Sequence, residues 1–133
     1  MDMVKIRKYK LCQTSYRICV NWKHRIRSKR NGTVLKIYSK GSLIGNVIFY
    51  DDNNFIYNLV INPKYRFKGY GSVLLKAAEK EIFKKFDEVK LTPQDNDESL
   101  RLFYSKNGYT GFDERDEGYE EEDKTWWIMS KRK

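Results

Sequence analysis

Hydrophobic and polar positions follow two different periods along this chain. Residues 33 to 61, "TVLKIYSKGSLIGNVIFYDDNNFIYNLVI", hold three β-branched and aromatic runs separated by the turn-rich clusters "SKGS" and "DDNN". That pattern predicts an antiparallel meander. The period then lengthens: Leu74, Ala78, Ile82 and Phe86 fall four apart with Val73 and Ala77 beside them, while Lys76, Lys80 and Lys84 take the other side. The spacing predicts an amphipathic helix over 70–86. "DEVKLTP" reads as a short strand ended by Pro93. "DNDESLRLFYSKNGY" predicts a second helix, opening with Asp95 and Glu98 at capping-box spacing and closing at Asn107 and Gly108. Strands are expected at Tyr109 to Phe112 and Thr125 to Met129. From residue 33 the order is strand, strand, strand, helix, strand, helix, strand, strand. Before it, Tyr16, Ile18, Val20 and Trp22 alternate as in a strand, while Cys19, Trp22 and Ile26 also fit a helix face. Strands are the favoured reading there.

At 133 residues the chain has the length of one domain, and residues 1–133 are read as one. Twenty-seven Lys and Arg against eighteen Asp and Glu give a net charge of +9, which favours anionic partners such as phosphates or nucleic acid. The distribution is uneven. Residues 113 to 123, "DERDEGYEEED", hold eight carboxylates and Arg115 for a local −7, leaving +16 on the rest. No stretch approaches the roughly 18 apolar residues of a membrane span, and "MDMVKIRKYKLC" lacks the apolar core of a secretory signal. A soluble, intracellular, cytoplasmic protein is expected. Cys12 and Cys19 are too few for a disulfide framework and read as reduced packing thiols. His24 stands in "KHRIRSKR" among cations that disfavour its protonation, and reads as exposed.

The chemistry-bearing stretch is "RFKGYGSVLLKAAEKEIFKKF", residues 66 to 86. Its glycines admit three readings: a phosphate cradle, a strand that stacks on RNA bases, or a turn without a partner. "KGYG" fits the first four places of the RNA-recognition signature, but an aromatic is then required at Ser72 and another at Leu75, where a helical period has already begun. Between a strand and a helix, Gly69 and Gly71 instead let backbone N–H groups approach a ligand at the positive end of the helix dipole. A pyrophosphate suits that position. The Walker spacing G-x-x-x-x-G-K-[ST] is absent.

The longer segment "LVINPKYRFKGYGSVLL" resembles the acetyl-CoA signature of the GNAT superfamily of N-acetyltransferases, reading L-V-x-x-P-x-x-R-x-x-G-x-G-x-x-L-L. Arg66, Gly69 and Gly71 stand at the family's R/Q-x-x-G-x-G/A positions, with Pro63 at the strand's end. "LRLFYSKNGYTGF" is similar to the family's LYxxxGF segment, with Tyr104 and the pair Gly108-Tyr109 in place. The family usually has an Asn seven residues before that tyrosine, where this chain has Asp97. The resemblance covers residues 33 to 130.

That resemblance implies an α/β architecture, an α+β mixed sheet with a shortened N-terminal part, because 32 residues leave little room for the two helices the family places there. It implies acetyl-CoA as co-substrate, no metal, and transfer of acetyl to a primary amine: a small amine, a polyamine or a basic peptide. Leu59, Val60 and Ile61 would pair with the pantetheine arm. Arg66, Phe67, Lys68, Gly69, Tyr70, Gly71 and Ser72 would hold the pyrophosphate. Tyr104 would contact the cofactor and protonate the leaving thiolate. The base stays open among Asp51, Asp52, Tyr57 through a water, and the acidic run, whose charge would also draw a cationic acceptor. Two alternatives stand beside this reading: a basic nucleic-acid-binding module, and a domain that binds acetyl-CoA without turnover.

Overall fold

The computed structural model describes residues 4–18, 25–93, 98–114 and 126–133, with side chains described at 4–11, 31–93, 98–111 and 128–133. Its elements are β1 (Val4–Ile18), β2 (Arg25–Ser39), β3 (Ser42–Tyr50), β4 (Phe55–Ile61), a 3-10 turn (Pro63–Tyr65), α1 (Tyr70–Ile82), β5 (Glu88–Leu91), α2 (Glu98–Lys106), β6 (Thr110–Glu114) and β7 (Trp126–Arg132). This is the expected α+β order. Residues 4–18 and 25–32 are strands, as favoured. Cys19, Val20, Trp22, His24, Asp95 and most of the acidic run lie outside the described residues. Among the described residues no helix is long and apolar enough to cross a membrane.

The chain forms two compact units, Met1–Ala78 and Glu79–Lys133, which divide inside α1. In the first, β1 pairs antiparallel with β2 from Val4↔Ser39 to Ile18↔Arg25, and β2 pairs with β3 only from Gly32↔Tyr50 to Ser39↔Ser42. β3 then pairs antiparallel with β4 from Gly45↔Ile61 to Phe49↔Ile56. Alternation selects the buried face: Leu35 and Ile37 of β2 and Val47 and Phe49 of β3 are buried, whereas Lys36, Tyr38, Asn46 and Ile48 between them are half-buried. A register step between Ile37 and Tyr38 adds Ile44 to that core. Each such side chain contributes roughly 1.5–3 kcal/mol on burial.

In the second unit β7 is the middle strand of three. It pairs antiparallel with β5 from Glu88↔Arg132 to Leu91↔Met129 and with β6 from Thr110↔Ser130 to Glu114↔Trp126. Val89, Leu91, Met129, Tyr104 and Tyr109 supply its core.

Two details of α1 depart from the expected pattern. The helix ends at Ile82 rather than 86, because the backbone tightens: Lys84 N donates to Glu81 O at 3.3 Å, and Lys85 N and Phe86 N both reach Ile82 O at 3.0 Å. The buried side is Leu74, Leu75, Ala78, Glu79 and Ile82, so a carboxylate occupies the stripe where the period alone placed Val73 and Ala77.

β4 is held against β3 at one crowded point. A Cβ on Gly45 would strike Val60 O and lie 2.7 Å from Ile61 Cδ1. Replacing Gly45 with Ala is expected to cost about 1–3 kcal/mol by overpacking, and thermal melts should show a fall of several degrees. An unchanged midpoint would mean that β3 and β4 separate there without cost.

Candidate active site

The end of β4 and the start of α1 are joined by a turn whose backbone N–H groups from Asn62 to Arg66 each have an acceptor. Asn62 N donates to Ile44 O at 2.7 Å, and its Oδ1 accepts from Lys64 N at 3.2 Å. Pro63, which has no N–H to satisfy, starts the 3-10 turn. Tyr65 N donates to Asn62 O at 2.8 Å, and the Arg66 Nε reaches back to Ile61 O at 3.1 Å, pinning the turn to the strand's last residue. Beyond it the backbone turns left-handed twice, at Phe67 (φ 66°) and Gly69 (φ 87°). Val73 N donates to Gly69 O at 3.3 Å, so Gly69 is the residue that caps α1. It has no side chain to offer the first-turn N–H groups of Tyr70, Gly71 and Ser72, and these have no acceptor within the helix. Lys64, Arg66 and Lys68 are exposed along the same turn. Helix dipole, open donors and cations together suit an anion. Tyr70 is buried, edge-on to Tyr65 at 6.3 Å between ring centroids.

Leu59, Val60, Ile61, Arg66, Phe67, Lys68, Gly69, Tyr70, Gly71 and Ser72 are therefore continuous along one strand end, turn and helix start in the first unit. Tyr104 stands on α2 in the second. Its placement follows from how α2 stops. Gly108 N donates to Ser105 O at 3.1 Å and Tyr109 N to Tyr104 O at 3.0 Å, with Gly108 left-handed at φ 96°, the double closure known as a Schellman motif. The residue after that glycine folds back on the helix: Tyr109 meets Tyr104 edge-on at 5.8 Å, and Phe103 meets it at 5.1 Å. Tyr104 is 7% exposed, and burial pushes its phenol up to about 12. Tyr109 OH donates to Glu79 Oε2 at 2.9 Å, and Lys131 Nζ donates to Glu79 Oε1 at 2.9 Å. Glu79 is 4% exposed. Burial raises the Tyr109 phenol as well, and the Glu79 charge raises it further.

A family model for the Acetyltransferase (GNAT) family matches residues 5–109. The chain belongs to the GNAT acetyltransferase family. Among solved structures, PaiA N-acetyltransferase from Thermoplasma acidophilum in complex with coenzyme A is 28% identical, covering 75% of this chain and 60% of its own, with a TM-score of 0.59. A GNAT family acetyltransferase from Elizabethkingia anophelis with acetyl-CoA bound is 18% identical over 76% of each chain, with a TM-score of 0.64. Nourseothricin acetyltransferase shares the fold at 13% identity, covering 97% of this chain and 98% of its own, with a TM-score of 0.63. This chain thus spans about 60% of the length of the Thermoplasma protein. No curated protein matches the sequence.

The helical reading of "KGYG" agrees with the fold: Tyr70 and Gly71 are helical and the Tyr70 ring is buried, so no base-stacking platform forms there. Asp51 and Asp52 are exposed in the turn before β4, at the opposite end of that strand from Ile61, roughly 20 Å along it. Tyr57 lies within the strand, half-buried against Tyr50, and its hydroxyl accepts from Asn53 Nδ2 at 3.0 Å.

Sequence reasoning missed three features of these GNAT elements, at Asn58, Glu79 and the Tyr109 hydroxyl, and named Phe67 without its backbone state. Asn58 is left-handed (φ 51°) in the middle of β4, where the register steps from Asn46↔Val60 to Ile48↔Tyr57. The signal was available: asparagine is depleted in strands and tolerates positive φ, and it interrupts "FIYNLVI". Phe67 is left-handed and fully exposed, an unfavourable pairing for a bulky residue that no pattern announces. Glu79 was legible as a carboxylate following Ala78 on an apolar stripe. The Tyr109 hydroxyl was legible as a phenol where the family segment has Phe.

Because Tyr104 and Tyr109 have raised phenol pKa values, the unfolded chain ionises first as pH rises. The contribution of Tyr104 is fully present below about pH 10 and is lost between there and about 12, amounting to roughly 2–3 kcal/mol, while that of Tyr109 is lost at still higher pH. Melting temperatures measured from pH 8 to 11.5 should fall above pH 10, and Tyr104→Phe should flatten that fall. Parallel curves for parent and variant would refute the assignment.

Proposed function

We propose that this chain is an N-acetyltransferase that transfers an acetyl group from acetyl-CoA to an amine, with residues 1–133 working as a single domain. One observation carries the reading: a strand end, a turn pinned by Arg66, and a helix whose capping residue is a left-handed glycine, all within the family's cofactor signature. The residues present suit the cofactor. The N–H groups of Tyr70, Gly71 and Ser72 and the Arg66 and Lys68 side chains suit its phosphates. Leu59, Val60 and Ile61, extended beyond the step at Asn58, offer backbone groups to its pantetheine arm.

Acetyl-CoA supplies the activated acyl thioester. The protein's part is to hold that group and steer protons. A β4 N–H near Leu59 or Val60 stabilises the negative charge that develops on the acyl oxygen as the amine nitrogen forms its bond to carbon. Tyr104 stays protonated through neutral pH and directs its O–H at the sulfur as the carbon–sulfur bond breaks. Burial holds the Tyr104 proton tightly, its phenol being pushed up to about 12. Tyr104 therefore works chiefly as a hydrogen-bond donor to the departing sulfur, while the amine's proton leaves to water. The run from 113 to 123, with its −7, suits a cationic amine as acceptor.

Saturating acetyl-CoA at about 100 times its dissociation constant should stabilise the protein by roughly 2.7 kcal/mol, read as a rise in melting temperature. Gly69→Val forces a β-branched residue to φ 87° and should abolish the rise. No rise at millimolar acetyl-CoA in the parent would end the acetyltransferase reading.

Tyr104→Phe keeps the ring and removes the hydroxyl. Turnover, followed as free thiol released with a panel of amines, should drop about 10²-fold while acetyl-CoA affinity stays within a few-fold. Equal turnover would return Tyr104 to the core alone. A parent that binds acetyl-CoA but releases no thiol with any amine would favour the non-catalytic alternative.

A further inference from the structure

Register lays a row of side chains across the sheet of the first unit. Arg7 of β1 pairs with Lys36 of β2, Lys36 with Asn46 of β3, and Asn46 with Val60 of β4. Residues directly opposite one another share a face, so these four stand in line across four strands. Theirs is the reverse of the face that buries Leu35, Ile37, Val47 and Phe49, and it is open: Arg7 and Val60 are exposed, Lys36 and Asn46 half-buried. Val60 is 48% exposed although it is apolar, and it belongs to the strand end that the acetyl-transfer reading gives to the pantetheine arm.

At the other end of the row two tyrosines meet over the cations. Tyr9 on β1 and Tyr38 on β2 each stand two positions from the Arg7–Lys36 pair, on opposite sides of it and on the same face. The Tyr38 hydroxyl and the Arg7 guanidinium donate to the Tyr9 oxygen, and with the Lys36 charge they hold that phenol below its ordinary value. Lys36 Nζ lies 5.3 Å from the Tyr9 ring centroid, and the Arg7 guanidinium carbon 5.9 Å from that of Tyr38. A guanidinium, an ammonium and two phenols therefore form one cluster, with Tyr9 41% exposed. Like charges directly opposite weaken a sheet, and an anion set between Arg7 and Lys36 replaces that repulsion with charge-assisted hydrogen bonds. With its oxygen accepting from Tyr38 and Arg7, Tyr9 keeps its own O–H to donate to the same anion.

The row also fixes a distance. Neighbouring strands lie about 4.8 Å apart, so Lys36 stands roughly 10 Å and Arg7 roughly 14 Å from Val60 across the sheet. A molecule laid along the row with its amine at Val60 passes the Asn46 amide and brings its far end onto the cluster.

We propose that this row is the acceptor site and that Arg7, Lys36, Tyr9 and Tyr38 bind an anionic group, a carboxylate or a phosphate, carried by the amine roughly 10 Å from its nitrogen. The inference rests on the acetyl-transfer reading and names its substrate class: an amine of both signs, whose ammonium end suits the acidic run from 113 to 123.

The test is thiol release from acetyl-CoA with hexylamine, 6-aminohexanoate and 6-aminohexyl phosphate, joined to calorimetric titration of 6-aminohexyl phosphate in the presence of CoA. At 50 mM KCl, kcat/KM for at least one anionic amine should exceed that for hexylamine about tenfold or more, and the better of the two identifies the anion. The advantage should shrink at 500 mM KCl, because exposed charges are screened. Arg7→Gln/Lys36→Gln should bring the ratio close to unity through KM rather than kcat, and Tyr9→Phe/Tyr38→Phe should lower it by about threefold or more. A charge-matched control, Lys76→Gln/Lys80→Gln, removes exposed cations of α1 and should keep the parent's ratio. Equal kcat/KM for the three amines in the parent, or a ratio that Arg7→Gln/Lys36→Gln leaves in place, overturns the proposal while acetyl transfer stands. So does an equal fall with the control, which would assign the preference to net charge. If no amine of a wider panel releases thiol, calorimetry separates the two readings. Binding of 6-aminohexyl phosphate that Arg7→Gln/Lys36→Gln weakens about tenfold or more supports the anion site and ends the transfer reading. Absence of binding to the parent overturns the site as well.

Discussion

Glu79 places a carboxylate where α1 otherwise buries apolar side chains, and the second unit is arranged around satisfying it. A buried charge is tolerated only when it is paired and hydrogen-bonded, because the cost of removing it from water is several kcal/mol. Lys131 brings the opposite charge from β7, and Tyr109 brings an O–H from just beyond α2. Tyr109 is also the residue that closes the Schellman motif, so its backbone is bonded to Tyr104 and its ring lies against the Tyr104 ring. The placement of Tyr104, the proposed hydrogen-bond donor, is thus tied to neutralising a charge on α1. Removing Lys131 would leave the buried Glu79 carboxylate without its opposite charge, and removing Glu79 would leave the Tyr109 hydroxyl without its acceptor.

The first unit handles its polar groups differently. From Asn62 to Arg66 the turn satisfies itself through backbone bonds, the Asn62 side chain and the Arg66 Nε. At Gly69 that economy ends, since a capping glycine adds no acceptor for the donors of the helix it starts. Left-handed backbone at Phe67 and Gly69 is the geometric condition for this, without steric cost at the glycine and unfavourable at the phenylalanine unless the flanking elements hold it. The strand before and the helix after do so, through the Ile61 carbonyl that Arg66 grips and through the burial of Tyr70.

Charge divides the molecule along other lines than chemistry does. The GNAT elements from β4 onward are close to neutral in sum, and the excess of cations belongs to the N-terminal strands. The chain covers nearly all of nourseothricin acetyltransferase but about 60% of the Thermoplasma protein.

What the sequence determined by itself was whatever depends on neighbours within a few positions. The strand period of 33–61, the helical period after Tyr70, the stop at Asn107 and Gly108, and the strand that ends before Pro93 all follow from local backbone preference and spacing. The turn was legible for the same reason, since its glycines, proline and arginine act within one short segment. Asn58, Glu79 and the end of α1 were decided by tertiary structure. Asparagine permits the positive φ at Asn58, but the step itself is a matter of register between β3 and β4, which the segment alone does not specify. Glu79 is a solvated charge in an isolated helix and a buried one only when Tyr109 and Lys131, 30 and 52 residues away, arrive to pair with it. Period and caps are short-range and survive in the linear text, whereas burial and register are long-range and come into being only when the chain closes on itself.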